Sequence, residues 1–438
     1  MTVDNILNKI NKLMPVKWRW VLESAGFRKY FKNTGWMFFG QIFSLLISFF
    51  VGAWMARYLG PENYGILNYA LAFVGIFAFI ASLGVDGILN RDLINFPEKR
   101  DELLGTAFKL KLWGGVFTFL LVVIIIFITE KSPLIRALVV LYSSIFIFQA
   151  INSVVSIFFQ AKVKAKNNVL AIILSAIISA VFKVVIILSH QGVIWLMLVF
   201  VLEVIFQGLV LVNTYRRESL KIKTWRFDRG LAKTMLSSSW LLMLSSASTY
   251  IYLKIDQIMI GNILNKTDLG LYSVAVKLSD VWYFIPGVIC GSLFPAIANA
   301  RKVDLKLYKE RLSRLYFLLG GVAIFISAFL AIIAPWLINF LFGEQYLAAA
   351  GIVRIYIWSG VGMFVSAAIG NYLLLENKLK AIFYFNFFPM LVNIGLNLIF
   401  IPRFGLAGAA WATLISYSVG PLTFYIFKKK TVPLKIQN

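Results

Sequence analysis

Six ionisable residues stand in stretches of the chain that are otherwise apolar: Lys183, Glu203, Lys254, Asp256, Lys277 and Asp280. A charge in hydrocarbon costs about 3 kcal/mol or more, so such residues are expected to face a helix-bundle interior or an aqueous cavity and to pair there. Lysines so placed can hold an anionic group such as a phosphate. Carboxylates beside them can serve as exchangeable counter-ions or take up a proton or a cation. Residues 237–262 and 271–296 read as an antiparallel helical hairpin turning near 266–267. At about 1.5 Å per residue this puts Lys254 level with Asp280, and Asp256 level with Lys277. Lys254 and Asp256 lie about 200° apart around their helix, so both cross-pairs cannot easily be direct at once. Lys183 and Glu203, on two further successive helices, miss level by about a turn, which a bent lysine stem can bridge. Two readings follow: the charges neutralise one another so that the helices pack, or they line a cavity and meet an anion.

The elements that position these residues follow from composition. The 438-residue chain is 60% hydrophobic and 14% charged, with mean hydropathy +0.82. Soluble domains carry about 25% charged residues. Apolar runs of roughly 20 residues, enough to span a bilayer as helices, recur along the whole length. The expected fold is an all-α polytopic membrane protein. Cys290 and His190 are the single cysteine and histidine, which excludes an internal disulfide and a His/Cys metal cluster. No metal or cofactor is expected. The first 30 residues lack the continuous apolar core of a signal peptide. Ile6, Ile10, Leu13, Met14 and Trp18 recur at helical spacing among Lys9, Lys12 and Lys17, which predicts an amphipathic helix on an anionic leaflet.

Twelve transmembrane helices are predicted, at 33–56, 64–85, 112–129, 135–158, 169–189, 193–214, 237–262, 271–296, 315–337, 352–374, 380–401 and 406–427. They divide into an N-terminal amphipathic segment (1–32), a six-helix bundle (33–215), a linker (216–236), a second six-helix bundle (237–427) and a tail (428–438). With both termini inside, the outer loops and their edges hold only Arg57, Lys131, Arg136, Lys266, Arg354 and Arg403 of the 43 Lys and Arg residues. That asymmetry satisfies the positive-inside rule and predicts cytoplasmic termini and an anionic-lipid environment. It also accounts for the net charge of +24 without invoking nucleic acid, since the positive charge is spread over seven segments.

Residues 58–70, YLGPENYGILNYA, resemble 263–275, ILNKTDLGLYSVA, at an offset of 205, with Gly65 on Gly270 and Ala70 on Ala275. Both join the first and second helices of a six-helix half, so the chain reads as two parallel repeats, an organisation common in transporters. Pro61 and its flanking glycines suit a tight turn between antiparallel spans, while Pro286 and Pro389 are expected to kink helices eight and eleven.

ARYLGPENYG (56–65), LGLYSVAVKLSD (269–280) and PRFGLAGAAWATLIS (402–416) resemble polysaccharide-biosynthesis flippases of the Wzx type, within the multidrug/oligosaccharidyl-lipid/polysaccharide exporter superfamily. The resemblance runs over essentially the whole chain. It implies two six-helix bundles forming a V around a central cavity. It also implies alternating-access export of an undecaprenyl-pyrophosphate-linked oligosaccharide, an O-antigen or other surface-polysaccharide unit, from the cytoplasmic to the periplasmic leaflet of a bacterial inner membrane. The implied partners are that lipid-linked substrate, membrane lipids and the polysaccharide polymerase machinery, with the chain acting as a monomer. The expected substrate-binding residues are Arg57, Lys183, Lys254, Lys277 and Arg354, the arginines standing at outer span ends and suited to bidentate phosphate contact. Glu203, Asp256 and Asp280 are the expected ion-coupling or counter-ion residues. A peptidoglycan-precursor flippase carries the same pyrophosphate-lipid handle. A multidrug or cation antiporter should show an acid-dominated cavity, whereas here lysines equal acids within spans. A membrane enzyme such as a glycosyltransferase would bring a sizeable extramembrane loop with catalytic acids; the chain has none, and no catalytic residue is expected.

Overall fold

The computed structural model describes the backbone of residues 25–431 except Asn377, and side chains from 33 to 424 except those of 295, 377 and 379. The N-terminal amphipathic segment and most of the C-terminal tail lie outside the described residues. The chain folds into α1 (Ala25–Ile76), α2 (Ala78–Ser82), α3 (Asp86–Asn95), α4 (Arg100–Thr129), α5 (Pro133–Ser143), α6 (Ile145–Ala161), α7 (Ala165–Leu188) and α8 (Val193–Arg217). After the linker come α9 (Arg229–Ile263), α10 (Lys266–Asp280), α11 (Phe284–Val303), α12 (Leu305–Phe342), α13 (Ala349–Tyr356), α14 (Ser359–Leu375) and α15 (Leu379–Thr431). Among the described residues there is no strand.

Nine helical runs are long and apolar enough to cross a membrane among the described residues, against the twelve expected. The difference has physical causes. Asn33–Ile76 and Lys380–Phe424 are each counted once although each folds back at a glycine, Gly60 (φ 73°) and Gly405 (φ 58°), in backbone conformations that side chains disfavour. The α9 helix falls short on apolarity because Lys254, Asp256 and a run of serines dilute it.

Four predicted spans are also broken partway. The helix over 64–85 is interrupted at Phe77, 135–158 at Ser144, 271–296 at Val281–Tyr283, and 352–374 at Ile357–Trp358. Pro286 therefore sits in the first turn of α11, where a missing N–H costs nothing, and does not kink a continuous helix. Phe77 and Trp282 are related by the same offset as the two sequence motifs, so the repeat extends to where the helices break.

The repeated motifs touch each other. A Cβ on Gly65 would overlap the carbonyl oxygen of Lys266, and one on Gly270 would overlap that of Pro61. The pairs exchange under the repeat offset, so α1 and α10 cross backbone to backbone with pseudo-twofold symmetry, as small residues allow. Around this crossing, Tyr69 donates to Asn262 Oδ1 at 2.8 Å, Gln345 Nε2 donates to Arg57 O at 2.8 Å and Tyr346 donates to Ala56 O at 2.8 Å. Lys266 reaches Glu130 at 3.8 Å, and Tyr58 donates to Gln191 O at 2.9 Å. These loops define one end of the molecule, here the far end.

At the opposite, basic end lie Lys164, Arg216, Arg217, Lys221, Lys223, Arg226 and Arg301. There the linker is pinned to the start of α4: Arg226 N donates to Asp101 O at 3.1 Å and Asp228 N to Thr106 Oγ1 at 3.0 Å. Gly105 lies flat against the Arg226 backbone, and Trp225 Nε1 donates to Tyr215 Oη at 3.1 Å. Asp228 then caps α9 by accepting from Leu231 N.

Gly270→Val should force α1 and α10 apart and destabilise the protein by about 2 kcal/mol. Gly320→Ala, in open space on α12, should leave stability unchanged or slightly raised. Thermal unfolding of both variants in the same detergent checks the contrast; equal midpoints would mean the crossing is not tightly packed.

Candidate functional site

A cleft of about 310 Å3, apolar for most of its lining, lies between α1, α7 and α8 on one side and α10 on the other. Its charged lining is Lys183, Glu203 and Lys277, with Ser48, Asn68, Ser179 and Gln207 among its polar groups. Lys183 and Ser179 are one helical turn apart on α7 and both address Glu203 of α8: Lys183 Nζ stands 3.2 Å from Oε2, and Ser179 donates to Oε2 at 2.5 Å. The Lys183 ammonium also lies 3.9 Å from the centroid of Phe200.

Lys277 enters from the other side. It passes over Gly52 so closely that a Cβ there would overlap its ammonium. Among the described residues it makes no ion pair, so the cleft holds two lysines against one glutamate.

The two cross-pairs expected on the hairpin do not form. Asp256 does not meet Lys277. It is buried to 6% exposure against α10 and α15, where Tyr272 donates to Oδ2 at 3.0 Å, Thr413 to Oδ2 at 2.5 Å and Asn397 to Oδ1 at 2.8 Å. Asn397 also donates to Asn393 Oδ1 at 3.0 Å, and its own Oδ1 is buried without a partner. A buried carboxylate is thus satisfied by neutral donors rather than by a counter-charge. The physical reason is the angular one: the side of α9 that carries Asp256 packs on α15, and Lys254 lays its stem toward Gly75 of α1. Asp280 ends α10 at the helix break; it stays within electrostatic reach of Lys254 but beyond ion-pair distance. Its Oδ1 is buried without a hydrogen-bond partner.

Arg57 and Arg354 are exposed at the far end and do not line the cleft; Arg354 Nε donates to Ala331 O at 3.3 Å. The structure therefore brings Lys183, Glu203 and Lys277 together, sets Asp256 in a separate cage, and leaves Lys254, Asp280, Arg57 and Arg354 outside both. Sequence reasoning missed Asn393, Asn397 and Thr413, for which the signal is two amides one turn apart in the apolar PMLVNIGLNLIF. Lys111 falls just outside the predicted span 112–129, yet it is buried at 4% exposure. No group of three His, Cys, Asp or Glu that could hold a metal occurs among the described residues.

The model of the polysaccharide biosynthesis protein family matches residues 54–351. The capsular polysaccharide biosynthesis protein CapF of Staphylococcus aureus is 23% identical over 407 residues, covering 91% of this chain and 99% of its own. A Haloferax volcanii protein named "Probable low-salt glycan biosynthesis flippase Agl15" is 22% identical over 414 residues, covering 92% of this chain and 84% of its own. Among solved structures, an inward-facing multidrug resistance transporter of the MATE family superposes with a TM-score of 0.71 at 15% identity, over 89% of this chain and 96% of its own. The lipid II flippase MurJ, in an inward closed conformation, superposes with a TM-score of 0.68 at 17% identity, over 92% of this chain and 88% of its own. At these identities the superpositions establish the fold.

Removing one member of an ion pair that is mostly buried strands the other, so Lys183→Met should cost roughly 1–3 kcal/mol, less than at a fully buried pair because Glu203 keeps 29% side-chain exposure. Lys183→Met combined with Glu203→Leu should recover most of that loss. Denaturant midpoints of the single and double variants read this directly; full additivity of the two losses would show that the pair does not interact.

Proposed function

The chain belongs to the polysaccharide biosynthesis protein family, and from that premise we propose that it is a flippase for an oligosaccharide linked to a polyprenyl pyrophosphate. The observation that carries the reading is Lys277: a cation without a carboxylate at ion-pair distance among the described residues, projecting across Gly52 into a cleft shared by α1, α7, α8 and α10. A cation in that state is available to a pyrophosphate, and Lys183 beside it adds a second. The lysine excess favours an anionic head group over the organic cations of a drug exporter. The names of CapF and Agl15 support a surface-glycan precursor as cargo. The basic end fits the cytoplasmic side by the positive-inside rule; with that orientation, the proposed transport runs from the cytoplasmic to the periplasmic leaflet of a bacterial inner membrane, and the proposed lipid is undecaprenyl. The two halves, 33–215 and 237–427, would rock about their crossing at Gly65 and Gly270.

Asp256 is the proposed coupling residue. Its carboxylate has Thr413 Oγ1 and Tyr272 Oη beside it and accepts from Asn397 Nδ2; turning the Asn397 amide over would exchange that nitrogen for Oδ1 and give a set of oxygens with one negative charge, which suits a monovalent hard cation such as sodium.

In a strain lacking the protein, the complete lipid-linked repeat unit should accumulate facing the cytoplasm. Complementation with Lys277→Met should restore less than about a tenth of export at normal abundance, and Lys277→Arg a substantial part. Normal surface glycan with altered drug tolerance would overturn the reading.

For coupling, sodium over choline should raise the melting temperature of the wild type, and Asp256→Asn or Thr413→Ala should abolish the rise. A rise that survives Asp256→Asn places the ion elsewhere.

A further inference from the structure

A second ionic group lies toward the basic end, between α3, α4 and α6 and facing α9. Lys111 of α4 retains 4% side-chain exposure, whereas its ion-pair partner Asp86, the first residue of α3, is 51% exposed. Lys111 Nζ donates to Ser153 Oγ at 2.7 Å, and Ser153 Oγ donates in turn to Asp86 Oδ1 at 2.9 Å. The group borders a cavity of about 90 Å3, whose wall also includes Ser82, Gln149 and Tyr250. That is room for several waters or for one tetrahedral oxyanion.

We propose that this is an anion subsite in which Lys111 is the fixed cation, Ser153 the hydroxyl donor, and Asp86 a resident surrogate that one phosphate group, free or at one end of a diphosphate, displaces.

Three observations support it. The asymmetry of burial is the first. A lysine sunk this deeply needs a negative partner, and that partner sits half in the open, where it can swing away and be replaced. The chemistry is the second. Ser153 offers its hydroxyl and Lys111 its ammonium to the same carboxylate oxygen, which a phosphate oxygen can occupy with the same donors. Position is the third. At about 1.5 Å per residue, Lys111, Lys277 and Lys183 stand roughly 27, 16 and 8 Å from the far ends of α4, α10 and α7. Lys111 thus extends the row of cations in the cleft toward the basic end. Tyr250 supplies a wall from α9, so an occupant would touch both halves of the molecule at once.

The subsite rests on the proposed substrate only for its lipid-borne ligand; binding of inorganic pyrophosphate is independent of whether the protein flips anything. The test uses the full chain carrying Lys183→Met and Lys277→Met, reconstituted in phosphatidylcholine nanodiscs, so that the cleft lysines make no contribution. Inorganic pyrophosphate is titrated by calorimetry, in parallel with polyprenyl pyrophosphate incorporated in the discs. Added Asp86→Asn, which removes the competing anion, should tighten binding about three- to tenfold. Added Lys111→Met should weaken it at least tenfold. Tightening for both probes assigns the subsite to the phosphate group from either source; tightening for the lipid probe alone assigns it to a lipid-borne head. Should Lys111→Met fail to fold, Asp86→Asn decides alone. Unchanged or weaker binding of both probes in folded Asp86→Asn, or no binding of either probe in the background lacking the cleft lysines, overturns the proposal and leaves the pair structural.

Discussion

Asp256 is satisfied by a tyrosine, a threonine and an asparagine, and much of the electrostatic layout follows from this. A carboxylate buried among apolar helices needs either a cation or a set of donors. Because Tyr272, Thr413 and Asn397 meet it completely, no lysine is drawn to it. Lys277, which shares its depth, is left free to point the other way, across α1. The only ionic pair in the cleft is then Lys183 with Glu203, and the lysines outnumber their acid. Neutral hydrogen bonding at one locus thus produces positive potential at another.

The coarse architecture was legible because bilayer-spanning helices announce themselves by length and apolarity. The Lys183–Glu203 pair was legible too, since consecutive antiparallel helices bring matched depths together whatever their neighbours do. Side-chain direction was not. Whether Asp256 faces Lys277 or α15 depends on how α9 is rotated in its packing, and residues Asn393, Asn397 and Thr413 that decide it lie more than a hundred positions away in sequence. Lys111 was hidden for a related reason: an averaged window near a span edge cannot tell a lysine that reaches the interface from one folded under α3. The helix breaks at Ser144 and Ile357–Trp358 carry no proline, so the sequence offered no punctuation for them.

The internal repeat acquires more content in three dimensions than a short motif match could carry. Gly65 and Gly270 each lie against the other repeat's backbone, and the breaks at Phe77 and Trp282 occupy equivalent places. Substitution of either glycine has the same steric meaning, because each is the other's counterpart. The chemistry has not stayed symmetric. The second repeat carries Lys277 and Asp280 on the limb after its glycine, while the first carries only polar and apolar groups there. Scaffold symmetry is kept by packing, while the charges on this limb belong to one repeat alone.

The linker between Arg217 and Arg229 connects the halves but is welded to one of them. Its backbone bonds to Asp101 and Thr106, and its Trp225 is wedged against Phe108 and Tyr215. A strap fixed along its length gives no slack. In the rocking motion proposed above, rotation between the halves would be taken up at the first turn of α9, just past Asp228, and α9 would act as a crank whose short axle is that cap. Because the same crank carries Tyr250, Lys254 and Asp256 at rising distances from its axle, a given angle of swing would move each by a different amount, least for Tyr250 and most for Asp256. The stroke would be graded along one rod.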